Sequence, residues 1–354
     1  MKFERATLSR LLLSSVLCGL ALPALAGITG PYGTGLNRTV NPAGTSTPTT
    51  AAVSGSVDPV SGYLSVSGTL KRTWVTLTGG LVASNNLLTV SSSTLTMTGT
   101  VRRYVLMRPN VVLRNAPVLL MLHANGITPE TMASLTEVAD YAATQGFWAV
   151  LPAAIGNVWK DDPRTSGTED VNFISALITQ LVSQGADPAR IYVAGYSNGG
   201  FMATRLACAA SDRIAAFGIV AATTRVGVTN TCGTPLSRPK AWFLGTADTI
   251  VPIAGALDLR SADAALAFWN SRQGCAGVIA TSVPNRAAND RTTVQLARYT
   301  GCLSGSGGAV ENRAYVITGG GHAWPGGLVS VTGVISQDIK ATGLIWNFVR
   351  GYRR

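Results

Sequence analysis

Apolar and polar positions divide the chain into two parts, and the pattern changes near residue 98. Beyond that point, short continuous apolar runs alternate with segments in which apolar residues recur every three to four positions. Continuous runs are typical of strands buried on both faces, and the wider spacing is typical of helices with one buried face. This alternation predicts the α/β class, with a mostly parallel sheet covered by helices on both faces. The predicted strands are residues 101–107, 117–122, 147–151, 190–194, 214–220 and 241–244, and the predicted helices are residues 129–145, 170–184, 200–210 and 337–350.

Residues 27–96 follow a different pattern and are rich in Ser, Thr and Gly. The first part of this stretch has the composition of an extended linker. Farther on, segments 63–66 and 74–77 alternate with period two, and residues 83–86 have the composition of a turn. We therefore expect a linker and a small β-rich extension here, followed by the main domain at residues 97–354.

The first residues have the features of a secretory signal peptide. A basic start precedes an apolar run at residues 11–22, and Ala24 and Ala26 supply the small residues of a cleavage site before Gly27. The apolar run is too short to act as a stable membrane anchor. Residues 1–26 are therefore predicted to be removed, and the mature protein is predicted to be secreted, either periplasmic or extracellular.

Loss of Cys18 with the signal peptide leaves four cysteines, which are Cys208, Cys232, Cys275 and Cys302. In an oxidising compartment, four cysteines indicate two disulfides, for which three pairings are possible. Proximity in the sequence favours Cys208–Cys232 and Cys275–Cys302. A zinc site is the alternative, but no C-x-x-C pair and no nearby histidine favours it, and we expect no metal.

Composition and charge limit the classes of partner. Hydrophobic residues make up 46% of the chain and charged residues 13%, which is typical of a protein with a large core. The formal net charge of +11 favours anionic surfaces or polymers, so an anionic polymer is one candidate substrate. The basic residues are scattered rather than arranged in a stripe with interleaved aromatic residues, so we expect no nucleic acid partner.

The strongest chemical signal is the run Gly195-Tyr196-Ser197-Asn198-Gly199. It matches G-x-S-x-G and lies between an apolar strand and a helix with small residues, which is the setting of the nucleophile in α/β-hydrolases. Crowding at such a turn requires glycine on both sides of the serine. The start of the following helix offers N–H groups to developing negative charge. Ser197 is therefore the predicted nucleophile.

Two histidines limit the search for the general base. His123 precedes the nucleophile in the chain, whereas His322 follows it in a glycine-rich run. Because α/β-hydrolases place the triad in the order serine, acid, histidine, His322 is the predicted base and the acid lies between the two. Asp248, four residues after a predicted strand, is favoured to orient this base over Asp258 and Asp263.

The loop after the predicted strand at residues 117–122 is positioned to form half of an oxyanion hole. This loop runs from His123 to Gly126. The backbone N–H of Asn198, directly after the nucleophile, is predicted to supply the other half. His123 is expected to shape the loop by hydrogen bonding rather than to act as a base.

Four runs of the chain are distinctive: Leu122-His-Ala-Asn-Gly, Gly195-Tyr-Ser-Asn-Gly-Gly-Phe-Met-Ala, Gly245-Thr-Ala-Asp-Thr-Ile-Val-Pro and Gly319-Gly-Gly-His-Ala-Trp-Pro-Gly-Gly. Together they resemble the secreted polyhydroxybutyrate (PHB) depolymerase and feruloyl/acetylxylan esterase family, from about residue 97 to the C-terminus. The last run is the most specific of the four. The resemblance implies an α/β-hydrolase fold and hydrolysis of polymeric or oligomeric esters, without a cofactor, by Ser197, Asp248 and His322.

The resemblance also implies roles around this triad. Asn125 would donate the second oxyanion N–H, and Trp324 and Trp159 would line the acyl cleft. Ala124 stands where the family usually has glycine. Poly(aspartic acid) hydrolases look similar to this family, so three substrates stay open. They are a polyhydroxyalkanoate-type polyester, which is the main expectation, the amide bonds of poly(aspartic acid), and a feruloyl or acetyl ester on plant polysaccharide.

Overall fold

The computed structural model describes residues 53–233, 236–303, 309–328 and 330–354. The predicted signal peptide and the first part of the predicted linker lie outside these residues. The strands are β1 Ser54–Val57, β2 Leu64–Ser67, β3 Arg72–Leu77, β4 Gly80–Asn85, β5 Leu88–Met97, β6 Thr100–Pro109, β7 Ala116–Leu122, β8 Trp148–Pro152, β9 Ala186–Tyr196, β10 Ala216–Val220, β11 Lys240–Gly245, β12 Gly277–Ser282, β13 Thr293–Leu303, β14 Ala309–Thr318, β15 His322–Ala323 and β16 Ser330–Thr332. The helices are α1 Pro129–Thr136, α2 Val138–Gln145, α3 Glu169–Ser183, α4 Asn198–Ala209, α5 Val226–Thr231, α6 Ala262–Arg272 and α7 Ala341–Val349, with short 3₁₀ turns at Ile155–Asn157 and Ala288–Asp290.

Ten of these strands form one sheet in the order β12-β13-β14-β11-β10-β9-β7-β8-β6-β5. The central strands, from β14 to β8 in that order, are all parallel to one another. The strands at both edges are antiparallel to their neighbours. Strands β7, β8, β10 and β11 are buried along their whole length, as their apolar runs predict, and Lys240 at the start of β11 is the one charged residue among them. The predicted mostly parallel α/β sheet is confirmed.

Side chains of β7 alternate between two hydrophobic cores. Leu119 and Met121 belong to a core that includes residues of α1, α2 and α7. Val118 and Leu120 belong to a second core that includes residues of α3, α4 and α6. Because successive strand residues face opposite sides of a sheet, helices cover both faces of this one, as the sequence predicts.

The turn predicted at residues 83–86 lies at residues 86–87 in the structure, between β4 and β5, so the prediction begins three residues too early. Residues 83–85 instead end strand β4, which pairs with β3. The amide of Asn85 is buried and donates to Ala139 O at 3.2 Å and to Asp140 Oδ1 at 3.1 Å. Asn85, one of the polar residues that suggested the turn, therefore contacts helix α2 from within a strand.

The helix predicted at residues 129–145 is two helices in the structure. Glu137 separates α1 from α2 and has a left-handed backbone, with φ of +53°. A left-handed residue ends the regular helical hydrogen bonding. Its carboxylate accepts a hydrogen bond from Lys340 Nζ at 2.9 Å, a contact with a distant part of the chain that the local apolar pattern does not reveal.

The β-rich extension leads directly into the main sheet. Strands β1 and β2 form one separate antiparallel pair, and β3 and β4 form another. Strand β5 belongs to the main sheet, where it pairs with β6, and the predicted boundary at residue 97 falls on its last residue. All described residues belong to one compact unit, and the division at residue 97 stays a prediction. In the described part of the chain, no helix has the length and apolar character needed to cross a membrane.

Candidate active site

Ser197 lies on a sharp turn between β9 and α4. Its backbone has φ of +54° and ψ of −118°, which is strained for a residue with a side chain. Its N–H donates to Val220 O at 2.9 Å. Two glycines permit the turn, because a Cβ on Gly195 would lie 2.0 Å from Gly199 O and a Cβ on Gly199 would lie 2.2 Å from Leu122 O. The turn holds the serine at the carboxyl end of β9, where the helix begins.

The structure brings Ser197, His322 and Asp248 into one hydrogen-bonded chain. Nε2 of His322 lies 2.8 Å from Ser197 Oγ, and Nδ1 of the same ring lies 2.8 Å from Asp248 Oδ2. Because a carboxylate only accepts, Nδ1 carries the proton and Nε2 is free to accept the proton of the serine hydroxyl. All three side chains are buried. This is the geometry of a serine nucleophile with an oriented general base.

The carboxylate of Asp248 is oriented by its own loop. Its Oδ1 accepts two backbone N–H groups, from the residues two and three positions later, at 2.9 and 2.8 Å. This leaves Oδ2 directed at His322. The two other candidates for the acid are engaged or exposed at other positions. Asp258 pairs with Arg164 at 2.9 Å, and Asp263 is an exposed residue in the first turn of α6.

The glycine-rich run before His322 allows backbone segments to approach each other closely. A Cβ on Gly321 would lie 2.5 Å from Thr332 O. A Cβ on Gly245, the last residue of β11 before the loop of the acid, would lie 2.4 Å from Gly320 O. Glycine at these positions therefore lets the loop of the base pack against the loop of the acid.

The two predicted oxyanion donors lie on adjoining backbone segments. Asn198 is the first residue of α4, where N–H groups have no acceptor within the helix. Asn125 is an exposed residue of the loop after β7, and the N–H of the next residue, Gly126, donates to Asn157 O at 3.0 Å. The close approach of Gly199 to the end of β7 brings this loop beside the nucleophile's turn.

His123 is buried behind this loop, and both of its ring nitrogens are engaged. Nδ1 donates to Ala124 O at 2.8 Å, and Nε2 accepts the N–H of Ala154 at 3.0 Å. These contacts require a neutral ring with its proton on Nδ1. Burial lowers the pKa of His123 from 6.5 to about 4, so the ring stays neutral near neutral pH. This is the loop-shaping arrangement expected from the sequence.

Trp159 and Trp324 do not line a cleft in the structure, and that prediction is corrected. Each side chain is only 1% exposed. The indole N–H of Trp159 donates to His123 O at 2.9 Å, and that of Trp324 donates to Thr342 Oγ1 at 3.0 Å. Both are core residues. Their positions next to motif residues suggested a cleft, but proximity in sequence does not distinguish a buried ring from an exposed one.

A buried polar cluster beside the nucleophile is not predicted by the sequence. The amide Nδ2 of Asn198 donates to Trp159 O at 3.1 Å and to Asp161 Oδ2 at 3.0 Å. Nε and Nη2 of Arg225 donate to the same carboxylate oxygen at 3.2 and 3.1 Å. Burial raises the pKa of Asp161, while Arg225 acts in the opposite direction. No sequence motif joins these residues, and only the fold brings them together.

Exposed apolar side chains lie in the loops next to the site. Ile155 and Val158 are 59% and 46% exposed, and they flank the carbonyl of Asn157 that holds the predicted oxyanion loop. Ile250 is 51% exposed and lies two residues after Asp248. We call Ile155, Val158 and Ile250 the apolar rim.

Both disulfides favoured by sequence proximity are present. Cys208–Cys232 joins the C-terminal turn of α4 to the residue that follows α5, and Cys275–Cys302 joins the segment after α6 to β13. The cysteines are therefore not zinc ligands. Within the described ranges, no group of three or more His, Cys, Asp or Glu residues is arranged to hold a metal ion.

A serine on a strand–helix turn above a mostly parallel sheet, followed along the chain by an acid and a histidine that bond to it, defines the α/β-hydrolase fold. Feruloyl esterase B of Piromyces equi is 26% identical to this chain over 224 residues, which are 59% of this chain and 40% of that protein. Feruloyl esterase B of Thermothelomyces thermophilus is 29% identical over 106 residues, which are 28% of this chain and 36% of that protein. The chain thus spans less than half the length of these relatives.

Among solved structures, an acetyl xylan esterase from Aspergillus awamori has a TM-score of 0.49 and 16% sequence identity. The superposition covers 66% of this chain and 94% of that one. No protein-family model matches the chain.

Proposed function

We propose that this protein is a serine carboxylic ester hydrolase. The observation that carries the proposal is the unbroken hydrogen-bonded chain from Asp248 through His322 to Ser197, with 2.8 Å at each step. A serine hydroxyl is a weak nucleophile until a base removes its proton, and this chain supplies an oriented base.

In the proposed reaction, Ser197 Oγ attacks the ester carbonyl carbon while Nε2 of His322 takes the hydroxyl proton. The N–H groups of Asn198 and Asn125 donate to the resulting oxyanion. The intermediate collapses to an acyl-enzyme, and the alcohol leaves with the proton held by the histidine. The same histidine then activates a water molecule, which releases the acid and restores the serine. Asp248 stabilises the imidazolium in both halves of the reaction.

For the substrate, we propose a feruloyl or acetyl ester carried by a polysaccharide. Two relatives of this chain are named feruloyl esterase B. The apolar rim offers exposed hydrophobic surface next to the triad loops, and such surface favours an aromatic or aliphatic acyl group.

A polyhydroxyalkanoate-type polyester is the second candidate, because the same apolar rim suits its aliphatic units and because the four sequence motifs resemble PHB depolymerases. Hydrolysis of the amide bonds of poly(aspartic acid) is the third candidate. It is favoured by the net charge of +11, which attracts a polyanion.

We further propose that the protein works outside the cytoplasm. Two features support this: the basic, apolar and small-residue pattern at the N-terminus, and the two disulfides, which persist in oxidising compartments.

Labelling with a fluorophosphonate tests the nucleophile directly. The protein as it stands is expected to be labelled at Ser197, and Ser197→Ala is expected to lose both the label and the esterase activity. Ser183→Ala is the matched control, because that serine lies exposed on α3 and its hydroxyl donates to Gln180 O within the same helix. Absence of label at Ser197 in the unaltered protein would overturn the proposal.

A substrate panel separates the three candidates. Release of ferulate or acetate from esterified xylan is expected to exceed turnover of poly(3-hydroxybutyrate) and of poly(aspartic acid). Each rate is measured at low and high salt, because only the reaction with a polyanion is expected to weaken sharply when salt screens the charge. If the rate on poly(3-hydroxybutyrate) or on poly(aspartic acid) exceeds the rate on the xylan esters, that polymer replaces the xylan esters as the proposed substrate.

A further inference from the structure

The two proposed oxyanion donors belong to different elements, and neither of the two disulfides joins these elements. The N–H of Asn198 is at the start of α4, and the N–H of Asn125 is in the loop after β7. Donors of this kind act only when they lie about 2.7–3.1 Å from the position that the oxyanion occupies. Their relative placement therefore requires a rigid connection.

Trp159 contacts both halves. Its backbone N–H donates to Asn198 Oδ1 at 2.7 Å, and its carbonyl accepts from Asn198 Nδ2 at 3.1 Å. Its indole Nε1–H donates to His123 O at 2.9 Å, at the start of the other half. The indole ring also packs against the imidazole of His123, with 5.1 Å between the ring centroids. One buried residue is thus bonded to the side chain of Asn198 in one half and to the backbone of the loop in the other.

His123 carries this connection to the second donor. Its Nδ1–H donates to Ala124 O at 2.8 Å. The carbonyl of Ala124 and the N–H of Asn125 are the two ends of one planar trans peptide group, so a bond that fixes the carbonyl also fixes the direction of the N–H. Nε2 of the same ring accepts from Ala154 N at 3.0 Å, which holds the ring itself in place.

The side chain of Asn198, in the first half, is held by an ion pair between the buried carboxylate of Asp161 and the partly exposed guanidinium of Arg225. Asn198 Nδ2 also donates to Asp161 Oδ2 at 3.0 Å, and the guanidinium of Arg225 bonds to the same oxygen. The Asn198 side chain is therefore kept in the one orientation in which it bonds to both main-chain groups of Trp159.

We propose that Trp159 is a positioning residue that couples the two halves of the oxyanion hole, with its indole N–H binding the loop and its main chain binding the nucleophile's helix. It acts on the transition state without touching the substrate. The inference rests on the proposed serine hydrolase function, since it assigns a role within that same site.

The test removes the indole N–H and keeps a buried aromatic ring. Trp159→Phe is compared with Trp269→Phe, the matched control, because Trp269 is 2% exposed and donates its indole N–H to Thr224 Oγ1 at 3.0 Å. The measurements are kcat and KM on a p-nitrophenyl ester, the Ki of a trifluoromethyl ketone that forms an oxyanion on the serine, and thermal unfolding.

Loss of a whole oxyanion donor lowers turnover by about 10²–10³-fold, so displacement of one donor is expected to lower kcat by about 10–100-fold. We expect Trp159→Phe to show this loss with little change in KM, and to bind the ketone more weakly by a similar factor. Trp269→Phe is expected to lower the unfolding temperature at most, with kcat and ketone affinity close to those of the unaltered protein.

Equal kcat and ketone affinity in the two folded variants, or a rise in KM alone for Trp159→Phe, would overturn the coupling role. If Trp159→Phe does not fold, His123→Phe is used in its place, because it removes the bond from Nδ1 of His123 to Ala124 O. The same fall in kcat and in ketone affinity supports the proposal, and the absence of that fall overturns it. Fluorophosphonate labelling of the unaltered protein separates the two proposals. With no label the esterase function itself fails, whereas with label but no difference between the variants only the coupling fails.

Discussion

The phenol of Tyr196 donates a hydrogen bond to the main-chain carbonyl of His322 at 2.9 Å, and the two rings stack with 5.5 Å between their centroids. Tyr196 directly precedes the nucleophile in the chain, so the backbone that carries the serine also holds the backbone of the base. The distance between Ser197 and His322 is thereby constrained by this backbone contact as well as by their direct hydrogen bond.

Tyr196→Phe is expected to make the position of His322 less fixed relative to Ser197. The substitution keeps the ring and leaves the buried carbonyl of His322 without its main donor, which costs about 1–3 kcal/mol of the free energy of unfolding. We expect kcat to fall while KM changes little, because the serine–histidine distance is no longer fixed. Urea unfolding and steady-state kinetics measure both effects, and an unchanged kcat would contradict a role of Tyr196 in placing the base.

Asp248→Asn is expected to lower kcat by about 10³–10⁴-fold, because an amide donates to Nδ1 and stabilises the wrong tautomer of His322. The backbone N–H groups that hold Oδ1 are expected to keep the loop folded. Asp263→Asn, on the exposed face of α6, serves as the control. Comparable losses in the two variants would remove Asp248 from the triad.

The buried imidazole of His123 is expected to make stability depend on pH in the acid range. Its pKa is about 4 in the folded protein and about 6.5 in the unfolded chain. Between these values the unfolded chain binds a proton that the folded protein does not, so the free energy of unfolding falls as the pH decreases from 6.5 to 4. The difference corresponds to about 3 kcal/mol.

Urea unfolding at pH 7, 5.5 and 4 checks this expectation, with His123→Gln as the comparison. Carboxylates titrate in both proteins, so the difference between the two curves isolates the imidazole. A parallel fall in both proteins would show that His123 does not contribute.

The buried ammonium of Lys240 is expected to make stability depend on pH in the alkaline range. It is completely buried at the start of β11, where Nζ donates to Arg238 O at 2.8 Å and lies 4.2 Å from the ring centroid of Trp269. Burial lowers the pKa of Lys240 from 10.5 to about 7. Because the unfolded chain holds the additional proton between these values, the free energy of unfolding is expected to rise with pH from 7 to 10.5.

Denaturant unfolding across that range is the measurement. Lys240→Met is expected to lose most of the rise, whereas Lys160→Met, at a side chain that is 48% exposed, is expected to keep it. The same slope in both variants would be the contrary result.

The sequence predicts the parts of this fold that depend on local pattern. The central strands and the turn at Ser197 follow from continuous apolar runs and from a motif in its structural setting. The positions of Asp248 and His322 follow from chain order, which the fold class constrains. Each of these inferences needs only neighbouring residues or a rule of topology.

The supports of the site could not be predicted in this way. Trp159 bonds to Asn198 and to His123 across more than 30 positions of sequence, and no spacing rule describes such contacts. The same reason explains the corrected predictions. Asn85 has the composition of a turn residue but bonds to a helix, and the burial of Trp324 depends on packing that its neighbours in sequence do not specify.

The Cys208–Cys232 disulfide completes a closed path of bonds that begins and ends at Asn198, the residue after the nucleophile. Helix α4 leads from Asn198 to Cys208, the disulfide crosses to Cys232, and α5 leads back to Arg225 and its bonds with Asp161. A reducing environment would break this disulfide, which is the cross-link between α4 and the residue after α5, and would leave the side chains of the triad chemically unchanged. The compartment chosen for recombinant production is therefore expected to decide whether the contacts of Arg225 and Asp161 with Asn198 are reinforced by the disulfide.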